Sequence, residues 1–135
     1  QIHSLTNILD KALHKLGLEQ LNDTFFDTLL IKVSHAEKLK AMAESREVNF
    51  NYIDDETISI SINETTTLAD IEEIIDILAH AENLYSFEIT DCPVQLSIPT
   101  ELRRESEYLT HEVFKAYHSE TEMMRYIKRL ERKDI

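Results

Sequence analysis

Leu5, Ile8, Leu9, Ala12, Leu13 and Leu16 recur at three- and four-residue intervals. That spacing predicts an amphipathic helix, and Gly17 is placed to end it. His3 and His14 are expected to be solvated or at its boundary. FFDTLLIKV, residues 25–33, reads as a strand because aromatic and β-branched side chains favour a pleated surface. Ser34, with Glu37 three residues on, has the spacing of a capping box for a helix that turns Ala36, Leu39, Met42 and Ala43 inward. VNFNYI (48–53) and TISISI (57–62) then alternate apolar and polar positions around the acidic turn DDE, which predicts a hairpin. Ser59 and Ser61 belong to the polar face of that hairpin. Thr67 and Asp70 make a second capping box. The helix after it faces the core with Leu68, Ile71, Ile74, Ile75 and Leu78, and its acids Asp70, Glu72, Glu73 and Asp76 lie on a solvated face.

The order helix, strand, helix, strand, strand, helix predicts an α+β fold. The expected form is a small two-layer domain with a mainly antiparallel three-stranded sheet packed by helices. A further short strand fits LYSFEI at 84–89. DCP at 91–93 and Pro99 bracket a weakly patterned connection. TELRRESEYL and HEVFKAY each hold a short helical turn. Ser119 and Glu122 form a third capping box. The helix behind it carries Met123, Tyr126, Ile127 and Leu130 as a stripe that needs a partner.

Charge changes the picture at Pro99. Of the net −12, residues 1–98 carry 18 acids against 6 bases, whereas residues 99–135 carry 8 of each. The shift divides the chain into a small α/β domain at 1–98 and an arm at 99–135. An acidic domain followed by a mixed-sign arm argues against nucleic acid as a partner. A single glycine excludes a P-loop and a dinucleotide fingerprint. The lone cysteine, Cys92, reads as a half-buried small side chain in a reducing, intracellular setting. No apolar run approaches a membrane span, and no signal peptide is evident. The start at Gln1, directly in helical periodicity, suggests an excised domain or a preceding leader.

LTHEVFKAYHSETEMMRYIKRLERKD, residues 109–134, looks reactive, but its chemistry is incomplete. His111 and His118 would share a face only on one continuous helix, and the capping signal at Ser119 interrupts it. Ser119 is better used as a cap than as a nucleophile. Arg125, Lys128, Arg129 and Arg132 form part of a polar helix face. No lysine has a Schiff-base setting, and no histidine, cysteine and carboxylate set marks a zinc site. No residue is therefore assigned a catalytic, cofactor-binding or metal-binding role. Three readings stand from the residues alone: an accessory domain with a docking arm, a stand-alone small-molecule-sensing or protein-interaction domain, and a small enzyme using His111 and His118.

LEQLNDTFFDTLLIKV, ISISINETTTLADIEEI and the 109–134 stretch resemble the glycine dehydrogenase (decarboxylating) family, the P-proteins of the glycine cleavage system. THEVF and HSETEMMRY match the family patterns THxVF and HSETEMxRY at Thr110 to Phe114 and His118 to Tyr126. The resemblance covers the whole chain, as an internal fragment of a long enzyme with two related halves. It implies that residues 1–98 correspond to the small C-terminal domain of a fold-type I pyridoxal-phosphate enzyme at the end of the first half. Residues 99–135 correspond to the connecting arm and opening helix of the second. The implied activity converts glycine to carbon dioxide and an aminomethyl group on the lipoyl arm of the H-protein. The implied cofactor is pyridoxal phosphate in the full-length enzyme, with none expected on this fragment. The family's cofactor lysine lies beyond Ile135, so neither Lys128 nor Lys133 inherits it, and the fragment is expected to be a structural and docking part without activity of its own. His118 and Arg125 are the residues to test first for a contact near the pocket. Implied partners are the remainder of the P-protein and the lipoylated H-protein, with self-association through the arm a further candidate, and neither nucleic acid nor membrane. The setting is cytoplasmic in a bacterium and mitochondrial in a eukaryote.

Overall fold

A computed structural model describes residues 1–87, 89 and 98–133. The element order is α1 (Ile2–Leu16), β1 (Thr28–Lys32), α2 (Ala36–Ser45), β2 (Asn51–Asp54), β3 (Thr57–Ser61) and α3 (Leu68–Ala81). A 3-10 turn at Thr100–Leu102, α4 (Val113–Ala116) and α5 (Glu120–Glu131) follow. Two compact units are present, Gln1–Glu101 and Leu102–Ile135.

In the first unit the three strands form one antiparallel sheet of order β1-β3-β2. Period-two alternation decides its faces: Leu29, Ile31, Ile58 and Ile60 are buried on one side. Thr28 and Ser61 pair across the other side, with their hydroxyls bonded at 2.8 Å, and Asn51 donates to the Ser59 hydroxyl at 2.8 Å. The expected surface role of both serines holds. Asp55 and Glu56 make the two-residue hairpin turn, and the β2–β3 register is irregular between Tyr52 and Asp54. The far side of β1 is covered by the preceding segment. Leu21 N–H donates to Leu30 C=O, Lys32 N–H donates to Glu19 C=O, and the Asn22 side chain accepts from Leu30 N–H at 2.6 Å.

α1 and α2 both pack on α3. Leu9, Leu13, Leu39, Ile71, Ile75 and Leu78 are fully enclosed between helices and sheet. All three helices end with the same left-handed residue. Gly17 (φ +81°), Glu47 (φ +61°) and Asn83 (φ +58°) turn the chain so that Leu18, Val48 and Leu84 N–H reach back to Leu13, Ala43 and Ala79 C=O at 2.7–2.9 Å. Among the described residues, no helix is long and apolar enough to cross a membrane.

Several expectations need correction. The 25–33 strand shrinks to Thr28–Lys32 because Phe26 is used elsewhere: its carbonyl accepts from His3 Nδ1 at 2.8 Å and its ring stacks on the imidazole. His3 is accordingly buried rather than solvated, whereas His14 is exposed. The Ser34–Glu37 capping box does not form. His35 is the N-cap, Ala36 N–H is satisfied by Asp55 C=O from the hairpin turn, and Ser34 N–H donates to Glu82. Leu68 is exposed because α3 starts there, before its stripe reaches the core. Residues 84–87 and 89 form no strand, and residue 88 lies outside the described residues. The expectations for Cys92 and for DCP at 91–93 also fall outside them.

Candidate functional site

The second unit holds the reactive-looking stretch. α4 is one short turn, begun where Val113 N–H donates to His111 Nδ1 at 3.2 Å. It stops at Tyr117, and Ser119 starts α5 with a complete capping box. Ser119 Oγ accepts from Glu122 N–H at 3.3 Å, while the Glu122 carboxylate accepts from His118 N–H, Ser119 N–H and Ser119 Oγ at 3.0–3.2 Å. Those bonds, the Ser119 hydroxyl first and then the backbone amides, hold the Glu122 carboxyl below its ordinary range. The serine, the glutamate and the His118 backbone are thus used in folding. His111 precedes α4 and His118 precedes α5, so one helix does not carry both.

Tyr117 and Tyr126 stack with ring centroids 4.4 Å apart, which folds α4 back on α5. The Arg129 guanidinium lies 5.4 Å and 5.5 Å from the two rings and donates to the Tyr117 hydroxyl. Lys128 pairs with Glu131 at 2.5 Å. A shallow depression of about 370 Å³ lies over this packing, with His111, Tyr117, Tyr126, Arg129 and Lys133 among its lining residues. Arg125 and Arg132 are exposed on the polar face. The apolar stripe is also exposed: Met123 by 53%, Ile127 by 43% and Leu130 by 45%.

In the first unit the acids of α3 do more than face water. Thr67 and Asp70 close the expected capping box, with Thr67 N–H and Oγ1 both donating to Asp70 at 2.7 Å. Arg46, at the end of α2, donates to Glu73 at 3.1 Å and to Asp76 at 2.5 Å. His80 Nδ1 bonds Asp76 C=O at 2.8 Å and lies 3.3 Å from the Asp76 carboxylate. The Arg46 bond is the main reason that the Asp76 carboxyl is held below its ordinary range. Lys38 reaches across to donate to the Ala81 carbonyl at 2.5 Å. These links join α2 to α3. Nothing in the spacing marked Arg46, because its partners lie 27 and 30 residues away. No group of three or more histidine, cysteine or carboxylate side chains is gathered for a metal among the described residues.

Comparison with known proteins bears on the whole chain. Residues 1–78 match the family described as Glycine cleavage system P-protein. A glycine dehydrogenase (decarboxylating) of Christiangramia forsetii is 49% identical over 134 residues, covering 99% of this chain and 14% of the relative. One from Flavobacterium johnsoniae is 47% identical over the full chain and 14% of its own length. The mitochondrial glycine dehydrogenase (decarboxylating) 1 of Arabidopsis thaliana is 39% identical over the full chain and 13% of its length. The chain thus spans about 14% of the length of the curated relatives it matches first.

Proposed function

The chain belongs to the glycine cleavage system P-protein family, and from that premise we propose that it is a structural stretch of a longer glycine dehydrogenase (decarboxylating). In this reading, residues 1–98 form the small domain that closes the first half. Residues 99–135 form the arm that opens the second. The whole enzyme would convert glycine to carbon dioxide and an aminomethyl group transferred to the lipoyl arm of the H-protein. It would work in the cytoplasm of a bacterium or the mitochondrion of a eukaryote. One observation supports the reading: the chain aligns from end to end with about 14% of the length of such an enzyme, at 47% identity over all 135 residues.

Pyridoxal phosphate is the cofactor that the family implies, and the residues present do not fit it. A lysine that forms a Schiff base works from a desolvated pocket. All eight lysines here are exposed or half-exposed. Lys38 is held by the Ala81 carbonyl, Lys128 by Glu131, and Lys15 and Lys40 lie over the rings of Phe87 and Tyr52. Without a buried lysine, this stretch contributes shape and contacts to the enzyme, and no step of its chemistry is assigned to these side chains.

The test is a graft. This chain replaces the aligned segment of the Flavobacterium johnsoniae relative, and glycine-dependent carboxyl exchange with bicarbonate is measured in the presence of lipoylated H-protein. A folded chimera with activity within about tenfold of the parent supports the reading; a folded chimera without activity overturns it. The 135-residue chain alone, given pyridoxal phosphate and H-protein, is expected to show neither a lysine-bound cofactor band nor exchange. Turnover by the pure chain would also overturn the reading.

A further inference from the structure

α4 begins on a histidine ring. Its first amide, Val113 N–H, donates to His111 Nδ1 at 3.2 Å. The next two go to backbone: Phe114 N–H donates to His111 C=O at 3.1 Å and Lys115 N–H to Glu112 C=O at 2.9 Å. The leading amides of a helix have no partner within it, so a side-chain acceptor there stabilises the start. Because Val113 N–H is the donor, Nδ1 must offer a lone pair. The ring is therefore neutral, with its proton on Nε2. The start of α5 is built differently. Its cap is Ser119 with the Glu122 carboxylate, and His118 joins it with a backbone N–H rather than as an acceptor. What α4 holds in place is Tyr117, stacked on Tyr126 at 4.4 Å between centroids, with Arg129 donating to its hydroxyl.

We infer that His111 is a pH-sensitive cap, whose protonation releases α4 and loosens the stack of Tyr117 on Tyr126. A proton on Nδ1 turns the acceptor into a second donor facing Val113 N–H at 3.2 Å. The ring must then swing away, and the turn loses its cap. Loss of an N-cap interaction shifts a helix start toward the open form by roughly two- to thirtyfold. That is decisive for α4, a single turn of four residues with no length to sustain it. Around the ring stand Glu112 and Tyr117 from its own side and Tyr126, Arg129 and Lys133 from α5, all lining the same depression. Lys115 follows further along α4. Imidazole is the side-chain class among these that ordinarily changes charge between about pH 5 and 8. A transition of α4 in that window therefore belongs to a histidine, and His111 is the one whose ring bears on the turn. α5 stays formed over the same window, because the Glu122 carboxyl is held below its ordinary range and remains ionised there. This inference does not rest on the glycine dehydrogenase reading, and its test involves no glycine chemistry.

NMR of the 135-residue chain, titrated from about pH 8 to about pH 5, reads the switch directly. The helical carbon shifts of Val113–Ala116 are expected to fall by about half or more as the ring signals of His111 titrate. Ring-to-ring contacts between Tyr117 and Tyr126 should weaken at the same midpoint, while the shifts of α5 stay constant. His111→Asn supplies an oxygen acceptor at every pH, so α4 should persist through the titration. His111→Ala has no acceptor, so the turn should be weak at both ends of the range. His118→Gln should titrate like the parent. An α4 that keeps its shifts while His111 gains its proton overturns the inference, as does the absence of α4 at the alkaline end. So does a transition that survives in His111→Asn or His111→Ala, or one that disappears in His118→Gln.

Discussion

Gly17 and Glu47 hold the same position at the ends of two helices, and exchanging their side-chain character gives opposite, calculable effects. At Gly17 φ is +81°, and an added Cβ would meet nothing within 4 Å. Gly17→Ala therefore costs backbone strain alone, about 1–2 kcal/mol for an L-residue held left-handed. The variant also has a less flexible unfolded chain, which offsets about 0.4–1 kcal/mol. The expected net loss is about 0.5–1 kcal/mol, or roughly 2–8 °C in Tm for a unit of this size. Glu47 adopts φ +61° with a side chain already present, so it bears the same strain in the native protein. Glu47→Gly should relieve that strain, stabilising by about 0.5–1 kcal/mol after the greater freedom of the unfolded chain is subtracted. Thermal melts followed by circular dichroism, with urea titrations to confirm an unchanged m-value, measure both. The reasoning fails if Gly17→Ala melts at or above the parent temperature, or if Glu47→Gly is destabilising by more than a few tenths of a kcal/mol.

Leu78 is fully enclosed between α3 and the rest of the core, so Leu78→Ala should cost about 2–5 kcal/mol in urea unfolding. Thr67→Ala removes the N-cap of α3 and should cost about 1 kcal/mol. Ser119→Ala should act on α5 alone, raising amide exchange at Glu122 and its neighbours with little change in the melting of the first unit. The Asp76 carboxyl, held low chiefly by Arg46, contributes stability that is present above the ordinary carboxylate range near pH 4. That stability is lost as pH falls through the lower folded value. Arg46→Met should therefore lower Tm near neutrality and flatten its decline below about pH 4; an unchanged acid limb would contradict the assignment.

What was legible in the sequence was what one element decides for itself. The α1 stripe and Gly17, the alternation of Ile58, Ile60 and Ile62, and the Thr67–Asp70 and Ser119–Glu122 boxes depend on neighbours within a few residues, and each stands as read. The errors lie where a distant group competes. Ser34 has the spacing of a cap, yet the hairpin turn supplies the Asp55 carbonyl to Ala36 N–H and Glu82 takes the Ser34 amide. His3 carries no local sign of burial; a phenylalanine 23 residues on provides both its acceptor and its stacking face. The Arg46 fork was hidden for the same reason. In the arm, the separation of His111 from His118 followed from the capping signal. The stacking of Tyr117 on Tyr126 carried no sign beyond spacing, because it needs the chain to reverse between α4 and α5.

The packing of α1 on α3 has a consequence for synthesis. The apolar stripe of α1 is complete at Leu16, but the last residue of the helix that covers it is Ala81, 65 positions later. At about 5–20 residues per second, a ribosome takes roughly 3–13 s to cross that gap. For that interval the apolar stripe of α1 has only β1 and the Phe25–Phe26 segment to lie against, without the helix that completes its burial. A holdase that shields residues 2–16 until α3 has emerged would protect this stretch of the chain while its core is still open.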